Sequence, residues 1–325
     1  MNQNKVPEGD RIYDLYTGVY KPQIIRIALG LDVFSPLNTG PAKAEFVAQA
    51  CKCDEAGIRY LLDYLSSLKM LEKQDDQYSL SVEAATFLVR GKKAYTGDLI
   101  MDFIGPAPWI SIQDTIRSGQ PQNIDLEIHF AQDAWIESYR ASRIASSLEM
   151  WAKTRIIPES SLRLQLLDLA CGCAIKSMVL AQRLPNVKLT CLDTPMVLEV
   201  TRDLAERWGV LSQVSFLPDN LLTADLGEAK YDICLLGQIT HYLTEQQNCE
   251  LFNRIHRALI LDGKLVLDVP METKQLDESS SFLSLLLWAN SGGRAYPFDE
   301  YRSWLASAGF TSVHLLTERM LLAIR

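Results

Sequence analysis

A chain of 325 residues, 48% hydrophobic and 22% charged, holds enough apolar material for two globular cores. Its formal net charge of −8 repels phosphate backbones, and no concentrated basic patch offsets that, so a nucleic-acid partner is not expected. No apolar run reaches the roughly 18 residues of a membrane span, and the polar start after Met1 lacks the apolar core of a signal peptide, which predicts a cytoplasmic protein without membrane contact.

The first half reads as helices with one hairpin. Ile24–Leu31 is an apolar stretch, and Ala42–Cys51 has helical periodicity. Asp54 is placed to cap a helix whose apolar positions Ile58, Leu61, Leu62, Leu65 and Leu68 recur at three-to-four spacing. In Met70–Leu80 two short apolar runs flank a Gln-Asp-Asp-Gln turn, which predicts a β-hairpin. Helix, helix, helix, hairpin is the order of a winged helix. The helix that would enter a DNA groove carries Asp54, Glu55, Arg59 and Asp63, acidic where a DNA reader needs cations. Residues 1–95 are therefore expected to form a protein–protein module for dimerisation. Residues 96–155 read as a helical connector, interrupted at Pro106 and Pro108 and again at Gly119–Pro121. Its aromatics Trp109, Phe130, Trp135 and Tyr139 are core residues by default, some of them candidates to line a pocket.

From Leu164 onward short apolar runs alternate with helical segments: Leu164–Ala170, Lys188–Asp193, Val214–Leu217, Tyr231–Leu236, Lys264–Val269, Ser312–Leu316 and Met320–Ile324. The alternation predicts an α/β domain over 156–325, with a seven-stranded, Rossmann-like, mostly parallel sheet. Only Thr317–Arg319 separates the last two runs, too little for a crossover helix, so they are expected to pair antiparallel. The seven cysteines form no CxxC pair and stand at no ligand spacing from histidine. They are expected to be reduced, mostly buried thiols, with no metal bound.

Chemistry concentrates at the strand ends. Asp168 is followed by the small-residue turn Ala170-Cys-Gly172-Cys-Ala174 and a helix expected over Ser177–Arg183, an arrangement that lets a ligand approach the backbone beside a helix N-terminus. Alanine fits such a turn only where φ stays negative. Asp193, 25 residues after Asp168, ends the second run and is followed by Thr194 and Pro195. A carboxylate there can accept the ribose hydroxyls of an adenosine, or it can cap the Pro195 helix. Asp219, with Asn220 and Leu221, follows the third run as a candidate contact for adenine. Gly237, Gln238 and His241 follow the fourth.

Leu-Asp-Leu-Ala-Cys-Gly-Cys-Ala, Leu-Asp-Thr-Pro, Pro-Asp-Asn-Leu and Gly-Gln-Ile-Thr-His-Tyr-Leu, in this order, resemble the motifs of class I methyltransferases. With Asp54–Leu65, Leu261–Val266 and Gly292–Phe310, nearly the whole chain resembles small-molecule O-methyltransferases that carry an N-terminal winged-helix dimerisation domain. The resemblance implies S-adenosylmethionine as cofactor and S-adenosylhomocysteine as product, with a small-molecule acceptor and a homodimer formed through the N-terminal domain. Asp168 and Gly172 would flank the methionine end of the cofactor, Asp193 would hold the ribose and Asp219 the adenine, with Asn220 and Leu221 against the ring; Ala170, Thr194, Gly237 and Gln238 are further cofactor-binding residues. His241 takes the position of the general base, with Asp268 or Glu272 as candidate acidic partners. Phe103, Trp109, Trp288 and Asn290 are candidate acceptor contacts, and Gly292-Gly293 is a candidate hinge. Transfer to carbon or nitrogen, retention of the cofactor without transfer, and a winged-helix regulator remain open alternatives at this point.

Overall fold

The computed structural model describes residues 9–121, 127–154, 163–272 and 278–325. The chain forms two compact units, Met1–Trp109 and Ile110–Arg325. The boundary expected near 155 falls outside the described residues.

The N-terminal unit contains α1 (Asp10–Thr17), α2 (Tyr20–Gly30), β1 (Ala42–Lys43), α3 (Ala44–Cys51), α4 (Glu55–Ser67), β2 (Leu71–Gln74), β3 (Gln77–Leu80), α5 (Val82–Phe87) and α6 (Gly97–Ile104). Asp54 caps α4 by accepting a bond from the Gly57 amide at 2.8 Å. The helix buries Ile58, Leu62 and Leu65 against Phe34, Val47 and Tyr78. The expected hairpin forms, with Asp75 left-handed at its tip (φ 53°). Ala42 and Lys43, read from the sequence as helix, instead pair antiparallel with Tyr78 and Gln77, and the helix starts at Ala44. Pairing to β3 outweighs the local helical pattern. α6, placed by the sequence in a connector, packs on α2 within this unit. α1 buries none of its residues and leaves Ile12, Leu15 and Tyr16 exposed.

α7 (Pro106–Ser118) spans the division, and α8 (Glu127–Glu137) and α9 (Ala141–Thr154) follow. The sheet comprises β4 (Leu164–Leu169), β5 (Val187–Asp193), β6 (Val214–Pro218), β7 (Tyr231–Gly237), β8 (Leu259–Asp268), β9 (Ser312–Thr317) and β10 (Met320–Ile324), in the order β6-β5-β4-β7-β8-β10-β9. The first five strands in that order run parallel, and β10 is antiparallel to both its neighbours. The predicted hairpin forms, and its second arm is the one that docks on β8. β8 begins at Leu259, ahead of the expected Lys264, through an irregular stretch that includes a left-handed Asp262 (φ 61°). The helices are α10 (Ile175–Ala181), α11 (Pro195–Arg207), α12 (Glu245–Ala258), α13 (Glu278–Ser291) and α14 (Phe298–Ser307). α10 starts two residues before the expected Ser177 and ends at Ala181. Leu167, Leu236, Phe252, Leu267, Tyr301 and Leu321 belong to one buried core. Strand order reverses between β4 and β7, which opens a crevice at their C-terminal ends, where ligands bind in sheets of this kind.

Among the described residues no helix is long and apolar enough to cross a membrane. All seven cysteines are free. Cys173, Cys191 and Cys234 are buried, and the other four are half-buried.

Candidate active site

A cavity of about 480 Å³ lies at that reversal. Six residues singled out in the sequence line it: Asp168, Ala170, Gly172, Asp193, Gly237 and Gln238. The turn after β4 has three left-handed residues, Ala170 (φ 49°), Gly172 (φ 56°) and Ala174 (φ 56°). This corrects the expectation that alanines there keep φ negative. Each left-handed alanine costs roughly 1–2 kcal/mol. The geometry is held by the Ala174 amide on the Cys171 carbonyl (2.8 Å) and the Cys171 amide on the Leu192 carbonyl (3.1 Å). A Cβ placed on Gly172 would meet no protein atom within 4 Å, so its backbone borders open space.

Asp168 is 3% exposed and accepts a bond from the Ser177 hydroxyl at 2.6 Å. Burial pushes its carboxyl up to about 7, opposed by that bond and by the Lys176 charge. Asp193 accepts the Gly172 amide on one oxygen (2.9 Å) and the Thr194 amide on the other (2.8 Å). Burial raises its pKa against both bonds. It therefore ties the turn to the start of α11, and each oxygen keeps accepting capacity. The Thr194 hydroxyl is buried with no partner among the described residues. The Asp219 amide donates to the Asp193 carbonyl at 3.2 Å, which sets Asp219 beside that acid. Asp219 and Asn220 are exposed and bond amides of their own loop. Thr194, Asp219, Asn220 and Leu221 are not part of the cavity wall.

His241 lies in a single 3-10 turn, Thr240–Tyr242, 3% exposed and outside the cavity lining. Burial, then the Arg319 charge, lowers its pKa to about 4. Its Nδ1 has no partner among the described residues. Neither candidate acid serves it: Asp268 pairs with Lys176 at 2.7 Å, and Glu272 faces Arg294 at 3.9 Å. The turn is tied down by the Thr240–Tyr301 hydroxyl pair (2.7 Å), by Asn248 donating to the Thr240 carbonyl (2.9 Å), and by the Tyr296 hydroxyl donating to the Leu243 carbonyl (2.7 Å). Gly292 is left-handed (φ 74°), and a Cβ on Gly293 would fall 2.0 Å from the His241 carbonyl oxygen. Gly293 thus lets the backbone of its segment approach that of His241 closely. Trp288 and Asn290 lie on α13, half-buried and outside the cavity lining, with Asn290 Oδ1 lacking a partner among the described residues. Phe103 and Trp109 belong to the N-terminal unit, their rings edge to face at 6.1 Å.

The sequence reading missed four cations in the cavity wall, Arg143, Lys153, Lys176 and Arg319. Arg143 of α9 bonds Glu137 of α8. Lys176, in the first turn of α10, reaches across Gly237 to Asp268, so that a Cβ on Gly237 would lie 2.7 Å from the ammonium. No motif flags Arg143 or Lys176; only charge in an otherwise apolar helix start could have done so for Lys176. Among the described residues no group of three or more His, Cys, Asp or Glu could hold a metal ion.

Two family models match the chain, the O-methyltransferase dimerisation domain over residues 13–90 and the methyltransferase domain over residues 166–263. Together they cover more than half of it. The chain is 24% identical to 3-hydroxy-5-methyl-1-naphthoate 3-O-methyltransferase of Streptomyces sahachiroi, over 92% of this chain and 89% of that protein. It is 27% identical to the tetracenomycin polyketide synthesis 8-O-methyl transferase TcmO of Streptomyces glaucescens, over 94% and 92%. Its fold matches that of human N-acetylserotonin methyltransferase, solved in complex with S-adenosylmethionine, with a TM-score of 0.67, at 19% identity and 100% and 99% coverage. A dimerisation domain followed by a methyltransferase domain is the plan that these models describe, and this chain belongs to the S-adenosylmethionine-dependent O-methyltransferases.

Proposed function

We propose that the cavity at the β4–β7 reversal binds S-adenosylmethionine, and that the chain moves its methyl group to a hydroxyl or carboxyl oxygen of a small secondary-metabolite acceptor. The carrying observation is the Gly172 turn locked to Asp193 at 2.9 Å, with open space on its far side. The cavity and the loops beside it fit the cofactor: Asp193 in the wall offers acceptors to ribose hydroxyls, and outside the wall the Thr194 hydroxyl is buried with no partner among the described residues, while Asp219 with Asn220 and Leu221 adjoins for adenine. Asp168, Ala170, Gly172, Gly237 and Gln238 are assigned to the methionine portion. When bound, S-adenosylmethionine supplies a methyl group already activated by a sulfonium. The protein contributes alignment for in-line attack and exclusion of water. His241, kept neutral by burial, is the family's candidate proton acceptor. Trp288 and Asn290 are assigned to the acceptor side.

The dimerisation domain supports a homodimer, with the exposed Ile12, Leu15 and Tyr16 of α1 as part of the face that closes it. Seven free thiols support a reducing, cytoplasmic setting. Calorimetric titration with S-adenosylmethionine tests the core of the reading. One-site micromolar binding is expected, with a loss of at least about ten-fold in Asp193→Ala. A wild-type protein that takes up no cofactor overturns it.

A further inference from the structure

Lys176 reaches over the strand ends at the reversal. Its backbone is in the first turn of α10, and the α9 residue Trp151 fixes that turn by donating its indole N–H to the Lys176 carbonyl at 2.6 Å. The side chain crosses the end of β7 at Gly237, where a Cβ would press on the tip of the lysine, and meets Asp268 at the end of β8. Gly237 and Asp268 are register partners, so the ammonium lies over two adjacent strand ends. Both members of the pair are about four-fifths buried, with 22% and 21% of their side-chain surface exposed, and both line the cavity.

Asp268 occupies one of the three donors of this ammonium and leaves two. Asp168 is buried and engaged by Ser177. Arg319, from the β9–β10 turn, lines the same cavity and has no ion-pair partner among the described residues; its carbonyl accepts the Val269 amide at 2.8 Å, next to Asp268. Both cations therefore keep donors for a ligand anion, in a wall that also carries Asp133, Glu137, Glu149 and Asp193. His241, meanwhile, is buried outside the wall with no acid to support it as a base.

We propose, resting on the methyltransferase reading above, that Lys176, oriented by Asp268 over Gly237, receives an acceptor oxygen that is already an anion, so that this chain methylates carboxylates or acidic phenols. The balance is simple. The acceptor arrives without its proton, its oxygen lone pair forms the new O–C bond, and the C–S bond electrons return to sulfur, giving a neutral thioether. No proton is removed inside the site. Lys176 and Arg319 hold the oxyanion by charge-assisted hydrogen bonds until transfer.

The test uses full-length protein saturated with S-adenosylhomocysteine and titrated with matched carboxylate and carboxamide pairs on benzene and naphthalene rings. Wild type is expected to bind the preferred carboxylate roughly ten-fold more tightly than its amide. That preference is expected to vanish in Lys176→Met and to persist in Lys176→Arg. The proposal is overturned if no carboxylate binds, if the amide binds equally well, or if Lys176→Met keeps the preference. A loss of S-adenosylhomocysteine binding in Lys176→Met also overturns it, because Lys176 would then be a cofactor contact. Failure of wild type to bind S-adenosylhomocysteine at all would instead sink the methyltransferase reading.

Discussion

Burial acts with opposite sign on two titratable residues near the reversal. His241 is held neutral with its pKa down at about 4, and Asp168 is held protonated with its pKa up at about 7. For His241 the unfolded state takes up the proton first as pH falls, so its contribution is complete above about pH 6.5 and is lost toward pH 4. For Asp168 the folded state keeps the proton longer, so its contribution is complete below about pH 4 and is lost as pH rises toward 7. Each effect spans about 2 kcal/mol between about pH 4.5 and about pH 6.5, and the two nearly cancel in the cofactor-free protein. Removing one partner exposes the other. Relative to wild type, His241→Gln is expected to lose stability as pH rises through that window, and Asp168→Asn to gain it. Urea unfolding at the two pH values measures both slopes, and parallel behaviour of all three proteins would rule the account out.

At the scale of elements, the loop after β7 has little freedom. Thr240, Leu243 and Thr244 are bonded by Tyr301, Tyr296 and Asn248, which come from α14, the segment before it, and α12. Gly293→Ala would drive its Cβ into the His241 carbonyl, which is held in that loop. The expected result is a loss of roughly 1–3 kcal/mol and of methyl transfer, with S-adenosylmethionine affinity little changed. Thermal unfolding and calorimetry check this, and a fully active, fully stable variant would contradict it. The strands and the acids at their ends were legible because buried strands in a parallel sheet read as apolar runs. The role of the glycine pair was not, because tolerance of motion and demand for close approach leave the same two letters. Nor does a hairpin announce which arm will dock on the sheet. The left-handed alanines were misjudged because bonds from Leu192 and Asp193, distant in sequence, hold a conformation that local sterics disfavour.

At the scale of the whole molecule, two units share the work, and each has its own core. The N-terminal order of elements was legible from periodicity and capping. The two-residue strand β1 was not, because its partner lies more than thirty residues downstream, at Gln77 and Tyr78. If α1 closes the homodimer, two acidic residues there should undo it. Ile12→Glu with Leu15→Glu is expected to halve the mass seen by light scattering, while each unit stays folded by circular dichroism. An unchanged mass would place the dimer contact elsewhere.

The ammonium of Lys176 occupies space that any side chain at position 237 would claim. A side chain at 237 would displace the flexible end of Lys176 and leave its backbone where it is. Position 237 would then act as a dial on where the ammonium rests, and so on which acceptors the cavity prefers, without any change to the charged residue itself.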